Sequence, residues 1–359
     1  MPLFDSNNIQ SVVLHRVGNK ATEEGFVLSQ KPLQLTEQLQ DLLIRYFLTP
    51  FKVEEYYHLA DDENIEFNEV YRRCANIFAD PDALMEESQL LARHLYNAST
   101  HANIKGGELF VVYFHDCQLG GEVMDAVGLF KSENKESFMK VQHGNEEWSA
   151  QAGDESAMAD YHLEVHQGIN PAKLDKGAII FNSEAEKGFI VSAIDATNRS
   201  TDAAYWKDTF LHLRQREDEY YNTNTEMQAY KKFVTDALPQ QFEDVSRADQ
   251  ADMLNRCSNY FKQNDNFDLQ TFAEEVIAQP EVIDSFKEYR EQYQQENDIQ
   301  MPESYDISDD AVKKQSRAYK SVIKLDRNFH IYVHGDRQLI EQGEDERGKF
   351  YKVYYNEES

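Results

Sequence analysis

The sequence predicts an α+β fold: an N-terminal mixed domain with a mainly antiparallel sheet over residues 1–200, then a helical region over 201–359 that ends in a small C-terminal β-meander. Three observations carry this. Between Gly106 and Phe130 two apolar runs, each led by a glycine pair, follow one another at hairpin distance. After about residue 200 the apolar residues fall at helical spacing, as in Met227, Tyr230 and Val234. From Phe329 alternation returns, with Ile331 and Val333 separated by polar positions. A chain of 359 residues suits about two domains, and 20 Tyr, 21 Phe and 41% hydrophobic residues give ample material for packed cores.

Element by element, Ser11 to Val17 reads as a strand, with Phe26 to Leu28 a second apolar patch beyond a turn framed by Gly18 and Gly25. Thr36 is placed to cap a helix whose Leu39, Leu42, Leu43, Tyr46 and Phe47 share a face. Asp80-Pro81 starts another, continued by Leu84, Leu91 and Leu95. Glu108 to His115 and Glu122 to Phe130 form the expected hairpin, and further strands are expected at Tyr161 to His166, Ala178 to Phe181 and Gly188 to Ile194. In the second half, Ser246 and Asp249 make a capping-box pair before Leu254, Cys257 and Phe261. Phe272 and Val276 mark one more helix, and Val282, Phe286, Tyr289 and Tyr293 another after Pro280. His334-Gly335-Asp336 can turn the chain, and Lys349 to Tyr355 supplies a last strand.

Composition narrows the function. The longest apolar runs fall far short of the roughly 20 residues that span a bilayer, so no membrane partner is expected. Met1 to Asp5 has no basic region leading into an apolar stretch, and Cys74, Cys117 and Cys257 lie far apart with no C-x-x-C, which suits a reducing cytoplasm. His162, Glu164 and His166 share one side of a strand, yet no partner cluster accompanies them, and a solvated face is the plainer reading. His115-Asp116-Cys117 puts a thiol near an imidazole, and Cys117 is expected to be structural. Gly343 to Lys349 has phosphate-loop spacing, but three acids fill it and Phe350 stands where Ser or Thr would hold magnesium, so an acidic hairpin turn is expected. The many carboxylates are scattered, and no catalytic residue, metal site or cofactor is expected.

Charge is the sharper signal. With 65 Asp and Glu against 36 Lys and Arg, the formal net charge is −29, which repels a polyanion from most of the surface. From Lys313 to Arg327 the sign reverses: Lys313, Lys314, Arg317, Lys320, Lys324 and Arg327 face one acid, Asp326. Ser308 can cap a helix there, with Asp309 and Asp310 in its first turn, and Lys313, Arg317, Lys320 and Lys324 would form one stripe if it ran on. Val322, Ile323 and Leu325 look instead like the start of a strand. Lys349 and Lys352 interleave with Tyr351, Tyr354 and Tyr355, a pattern compatible with gripping phosphates and stacking. The alternative is charge balance: Glu281 to Asp310 holds ten acids against Lys287 and Arg290.

Three segments point to ancestry: Gly106 to Phe114 with its hairpin partner, Tyr205 to Leu211, and Ser321 to Gly335 running on to Lys349 to Glu357. On these the chain resembles the bacterial nucleoid-associated family typified by NdpA/YejK. The resemblance implies a cytoplasmic, nucleoid-located protein that binds double-stranded DNA and, for some relatives, contacts type II topoisomerases. It carries over no catalytic residues. The expected DNA-binding set comes from the charge pattern: Lys313, Lys314, Arg317, Lys320, Lys324, Arg327, Lys349 and Lys352. The alternative function is an acidic interaction module that engages a basic partner such as a topoisomerase subunit. Pairing of two copies as a homodimer stays open at this level.

Overall fold

The structure is a computed structural model that describes residues 4, 8–52, 55–143, 161–197, 205–242, 244–319, 322–325, 329–332 and 339–355. The chain divides into two compact units, Met1–Arg216 and Glu217–Ser359. The boundary expected at 200/201 thus falls at 216/217. The reason lies in the π-helical turn Tyr205–Phe210: Trp206 and Phe210 belong to the core of the first unit, and the Trp206 indole N–H donates to the Gly177 carbonyl at 3.3 Å.

The first unit holds strands β1 (Ile9–Val17), β2 (Phe26–Val27), β3 (Tyr56–Leu59), β4 (Gly107–Leu119), β5 (Glu122–Ser132), β6 (Glu136–His143), β7 (Tyr161–Gly168), β8 (Lys176–Phe181), β9 (Ile190–Asp195) and β10 (Leu213–Gln215), with helices α1 (Glu37–Leu48), α2 (Glu69–Ala79) and α3 (Leu84–Ala98). Eight strands make one antiparallel sheet in the order β10-β3-β9-β8-β5-β4-β1-β2. The apolar run in β4 is near-continuous because both faces are covered. Leu109, Val111 and Tyr113 pack with Leu91 and Leu95 of α3 and Val70 and Ile77 of α2, while Phe110, Val112 and Phe114 pack with Leu43 and Phe47 of α1. The Phe47 and Phe130 rings stack at 4.1 Å, locking α1 onto β5. Among the described residues β6 and β7 pair only with each other, so the strand expected at Tyr161 to His166 exists but lies outside the main sheet.

The expected helix starts are present. Thr36 accepts from the Leu39 amide, and Asp80 caps the short 3-10 turn Pro81–Ala83 that leads into α3. Gly188, at φ 110, lies against the Leu59 backbone so closely that a Cβ would meet the Leu59 carbonyl oxygen at 1.9 Å. Glycine is required there by both conformation and space.

The second unit is built from α4 (Glu219–Lys232), α5 (Leu238–Gln241), α6 (Arg247–Gln263), β11 (Asn266–Asp268), α7 (Leu269–Phe272), α8 (Pro280–Asn297), β12 (Ser304–Asp306), α9 (Asp309–Ser316), β13 (Val322–Leu325), β14 (Phe329–Tyr332), β15 (Ile340–Asp345) and β16 (Gly348–Val353). Its core is largely aromatic. Tyr230 meets Phe272 and Phe286 edge-on at 5.1 and 5.3 Å, and Phe261 stacks on Phe267. Ser246 and Asp249 form the expected reciprocal cap on α6. The short C-terminal strands come as two hairpins, β13–β14 and β15–β16. The turn expected at His334-Gly335-Asp336 lies outside the described residues.

Candidate nucleic-acid interface

The basic island begins on α9. Ser308 caps it by accepting from the Ala311 amide, Asp309 and Asp310 stand in its first turn, and Lys313 and Lys314 in its last, all favourable to the helix dipole. Its inner face is anchored to α4 and α6. Ala311 and Val312 are buried, the Gln315 side-chain amide donates to Asn224 at 2.6 Å in the interior, and the Ser308 amide donates to the Thr223 hydroxyl at 3.0 Å. Just beyond, the Tyr319 hydroxyl donates to the Met227 carbonyl, with the Cys257 thiol 3.6 Å from it. The helix is therefore a fixed platform rather than a loose basic tail.

Its cations differ in their surroundings. Lys313 extends into solvent with 73% of its side chain exposed and approaches Asp310 at 3.4 Å, a surface pair of small energy. Arg317 is exposed and makes no ion pair with a described residue. Lys314 bends back: its ammonium donates to the Tyr220 hydroxyl at 2.8 Å and lies 5.2 Å from that ring's centroid. The helix stops at Ser316 and Val322–Leu325 is a strand, so the stripe from Lys313 through Arg317 and Lys320 to Lys324 does not form as a helical face. Lys320 and Arg327 lie outside the described residues, as does the side chain of Lys324.

The two hairpins share a small cluster with α6. Ile323 and Ile340 are buried with Ala248 and Ala251, and Leu325, Ile331 and Tyr351 pack against them. The β15–β16 turn is a tight hairpin with Gly348 at φ 119, and a strand follows it, so no helix N-terminus stands behind the Gly343 to Lys349 spacing. Lys349 and Lys352 are three residues apart on a strand and project from opposite faces of the ribbon. Lys349 stands opposite Glu344 in the register, and Lys352 opposite Glu341, 3.5 Å from its carboxylate. Tyr354 hydrogen-bonds Lys352, which together with Glu341 holds the ammonium pKa above its ordinary value. These two lysines are thus partly neutralised across the hairpin. Exposed Phe329, Tyr332, Tyr354 and Tyr355 surround them in sequence.

Sequence reasoning missed a second charged feature, in the first unit. Lys131 and Lys176 are fully buried at the ends of β5 and β8. The Lys131 ammonium donates to the Lys105 carbonyl at 2.7 Å, Glu133 at 3.0 Å and the Tyr205 hydroxyl at 2.8 Å, and Lys176 donates to Asp195 at 2.9 Å. Burial pulls the Lys131 pKa down and pushes Tyr205 up. A cleft of about 600 Å³ opens beside them, rimmed by Lys52, Lys105 and Lys173 but floored by Glu133 and Asp175. Two carboxylates at its base oppose a phosphate ligand. Alternating strand positions 131 and 176, each a lysine in an apolar run, were the available signal.

Among the described residues no group of three or more His, Cys, Asp or Glu is arranged to hold a metal, and no helix is long and apolar enough to cross a membrane. A family model, nucleoid-associated protein YejK, matches residues 13–358. The chain belongs to this family. No curated protein matches it. Membership makes this a nucleoid-associated protein, and the matched span covers both units, α9 and both C-terminal hairpins.

Proposed function

We propose that the protein binds double-stranded DNA at the cytoplasmic nucleoid, non-catalytically and with little sequence preference, through the phosphate backbone. The observation that carries the reading is the outer edge of α9. Lys313 on α9 and Arg317 at its C-cap face solvent while the helix's other side is buried, in a chain of net charge −29. Lys320, Lys324 and Arg327 extend that edge in sequence, with Lys349 and Lys352 as weaker contributors because Glu344 and Glu341 oppose them. Lys314 acts by holding Tyr220 and steadying the helix. About six neutralised phosphates give a log–log salt slope near −5. The test is duplex binding at several salt concentrations for wild type and Lys313→Glu with Arg317→Glu. The double variant should bind more weakly on every sequence, with a slope shallower by about 2. An unchanged affinity and slope would remove α9 from the interface.

A second reading rests on the acidity itself: Glu217–Ser359 holds 31 acids against 17 Lys and Arg, and acids also outnumber bases in Met1–Arg216. Such a surface suits a basic protein partner, a type II topoisomerase subunit among them, with salt-sensitive association. Retention by topoisomerase subunits without duplex affinity at low salt would favour it. In either reading a symmetric pair of copies would double the contacts one chain offers.

A further inference from the structure

The β6–β7 ribbon is the least explained part of the first unit. It continues the central strands β5 and β8 outward as two strands paired only with each other. An isolated two-stranded ribbon is at best marginally stable in water and needs a covered apolar face to persist. This one has such a face. Met139 opposes Val165 and Val141 opposes Leu163 in the register, and Tyr161 follows on the same side. All five are exposed, between 53% and 72%. The other side carries Lys140, Gln142, His162, Glu164 and His166, with His166 2.9 Å from Glu164 and its ring stacked on Phe138. The ribbon is therefore amphipathic, and among the described residues nothing covers its apolar side.

We propose that this face docks on the same face of a second copy, forming a two-fold dimer in which the two ribbons pack face to face. The proposal rests on the reading that the protein works as a symmetric pair, and it names the surface. Three observations select this occupant. DNA is disfavoured, because the face carries no Lys or Arg and the seventeen residues joining the strands hold five carboxylates and no Lys or Arg. A basic protein partner finds no Asp or Glu on the face itself, the five carboxylates belonging to the residues between the strands. Elsewhere two copies at −29 repel one another, so an uncharged apolar face is where they approach at least cost, and an isologous contact needs one self-complementary patch. The area is adequate. At roughly 100 Å² for each of the exposed side chains, the face covers about 500 Å² per copy and about 1,000 Å² in the pair, the lower edge of specific interfaces.

Sedimentation of the full chain tests this. Wild type should be dimeric at tens of micromolar, and Leu163→Asp with Val165→Asp should weaken the dimer at least ~10-fold, since both sites are already exposed and their burial in the fold is not at stake. Gln142→Asp, on the polar side, should leave it unchanged. A wild type that stays monomeric throughout overturns the paired reading and the surface with it. A dimer that survives Leu163→Asp/Val165→Asp at wild-type affinity overturns the surface alone.

Discussion

Replacing Arg290 by Met tests what holds the second unit together. Arg290 of α8 is 5% exposed and Glu226 of α4 is fully buried. The guanidinium Nε donates to both carboxylate oxygens at 3.1 and 3.0 Å, and its Nη2 donates to the carbonyls of Met301 and Pro302, each at 2.9 Å. Burial raises the Glu226 pKa, and the Arg290 charge and hydrogen bonds oppose that rise. Removing the arginine leaves a buried carboxylate without countercharge and two carbonyls without a donor. Breaking such a pair from one side costs about 3–5 kcal/mol, or about 10 °C in Tm. Replacing both partners removes the stranded charge, so Arg290→Met with Glu226→Leu should recover most of the loss, short of about 2 kcal/mol for the two carbonyls. The sign with pH is set by the carboxyl. Its folded pKa stands above its unfolded one, so the Arg290→Met deficit should be smallest near pH 4.5 and grow as pH rises. The assay is denaturant and thermal unfolding by far-UV circular dichroism. Trp148 and Trp206 both fall in Met1–Arg216, so tryptophan fluorescence reports the other unit as a reference. A single variant melting within about 2 °C of wild type, or a double variant no better than the single, would refute the reasoning.

Two further outcomes concern the first unit. His15 is held neutral, the Ser29 amide donating to its Nδ1 at 3.1 Å while Nε2 donates to the Ser88 hydroxyl at 3.0 Å, and burial holds its pKa down at about 4. The unfolded chain takes up this proton near 6.5, so stability should fall by about 3 kcal/mol as pH drops from 6.5 to 4, and His15→Gln should flatten that part of a stability-versus-pH curve. Gly188→Ala combines a positive φ with a Cβ driven into the Leu59 carbonyl, and should lower the midpoint of denaturant unfolding by at least the equivalent of about 2 kcal/mol.

Much of the fold is legible where local signals and packing agree. The glycine-led runs at Gly106 and Gly120 became β4 and β5, and the caps at Thr36, Asp80, Ser246 and Ser308 sit where side-chain oxygens meet free amides. Helix α2 carries the same information in Asn68, Val70, Tyr71, Cys74 and Ile77, a capped helical face. The ribbon was half visible: Tyr161, Leu163 and Val165 alternate, but alternation does not say whether the apolar side meets a core or solvent. The basic island is legible as composition and not as geometry. Spacing could not foresee that α9 ends at Ser316, that Lys314 turns onto Tyr220, or that Glu341 and Glu344 register against Lys352 and Lys349. Those outcomes depend on tertiary partners distant in sequence.

The interleaved order of the main sheet also has a bearing on synthesis. Val12 of β1 pairs with Val112 of β4, a hundred residues downstream. At about 5–20 residues per second, the first strand leaves the ribosome many seconds before its neighbour exists. During that interval an apolar segment that later lies between two strands has no native edge to join, and the loop it must close is long. The nascent N-terminus is thus a natural client for chaperones, and slowing translation before residue 107 should raise aggregation more than slowing it after residue 217.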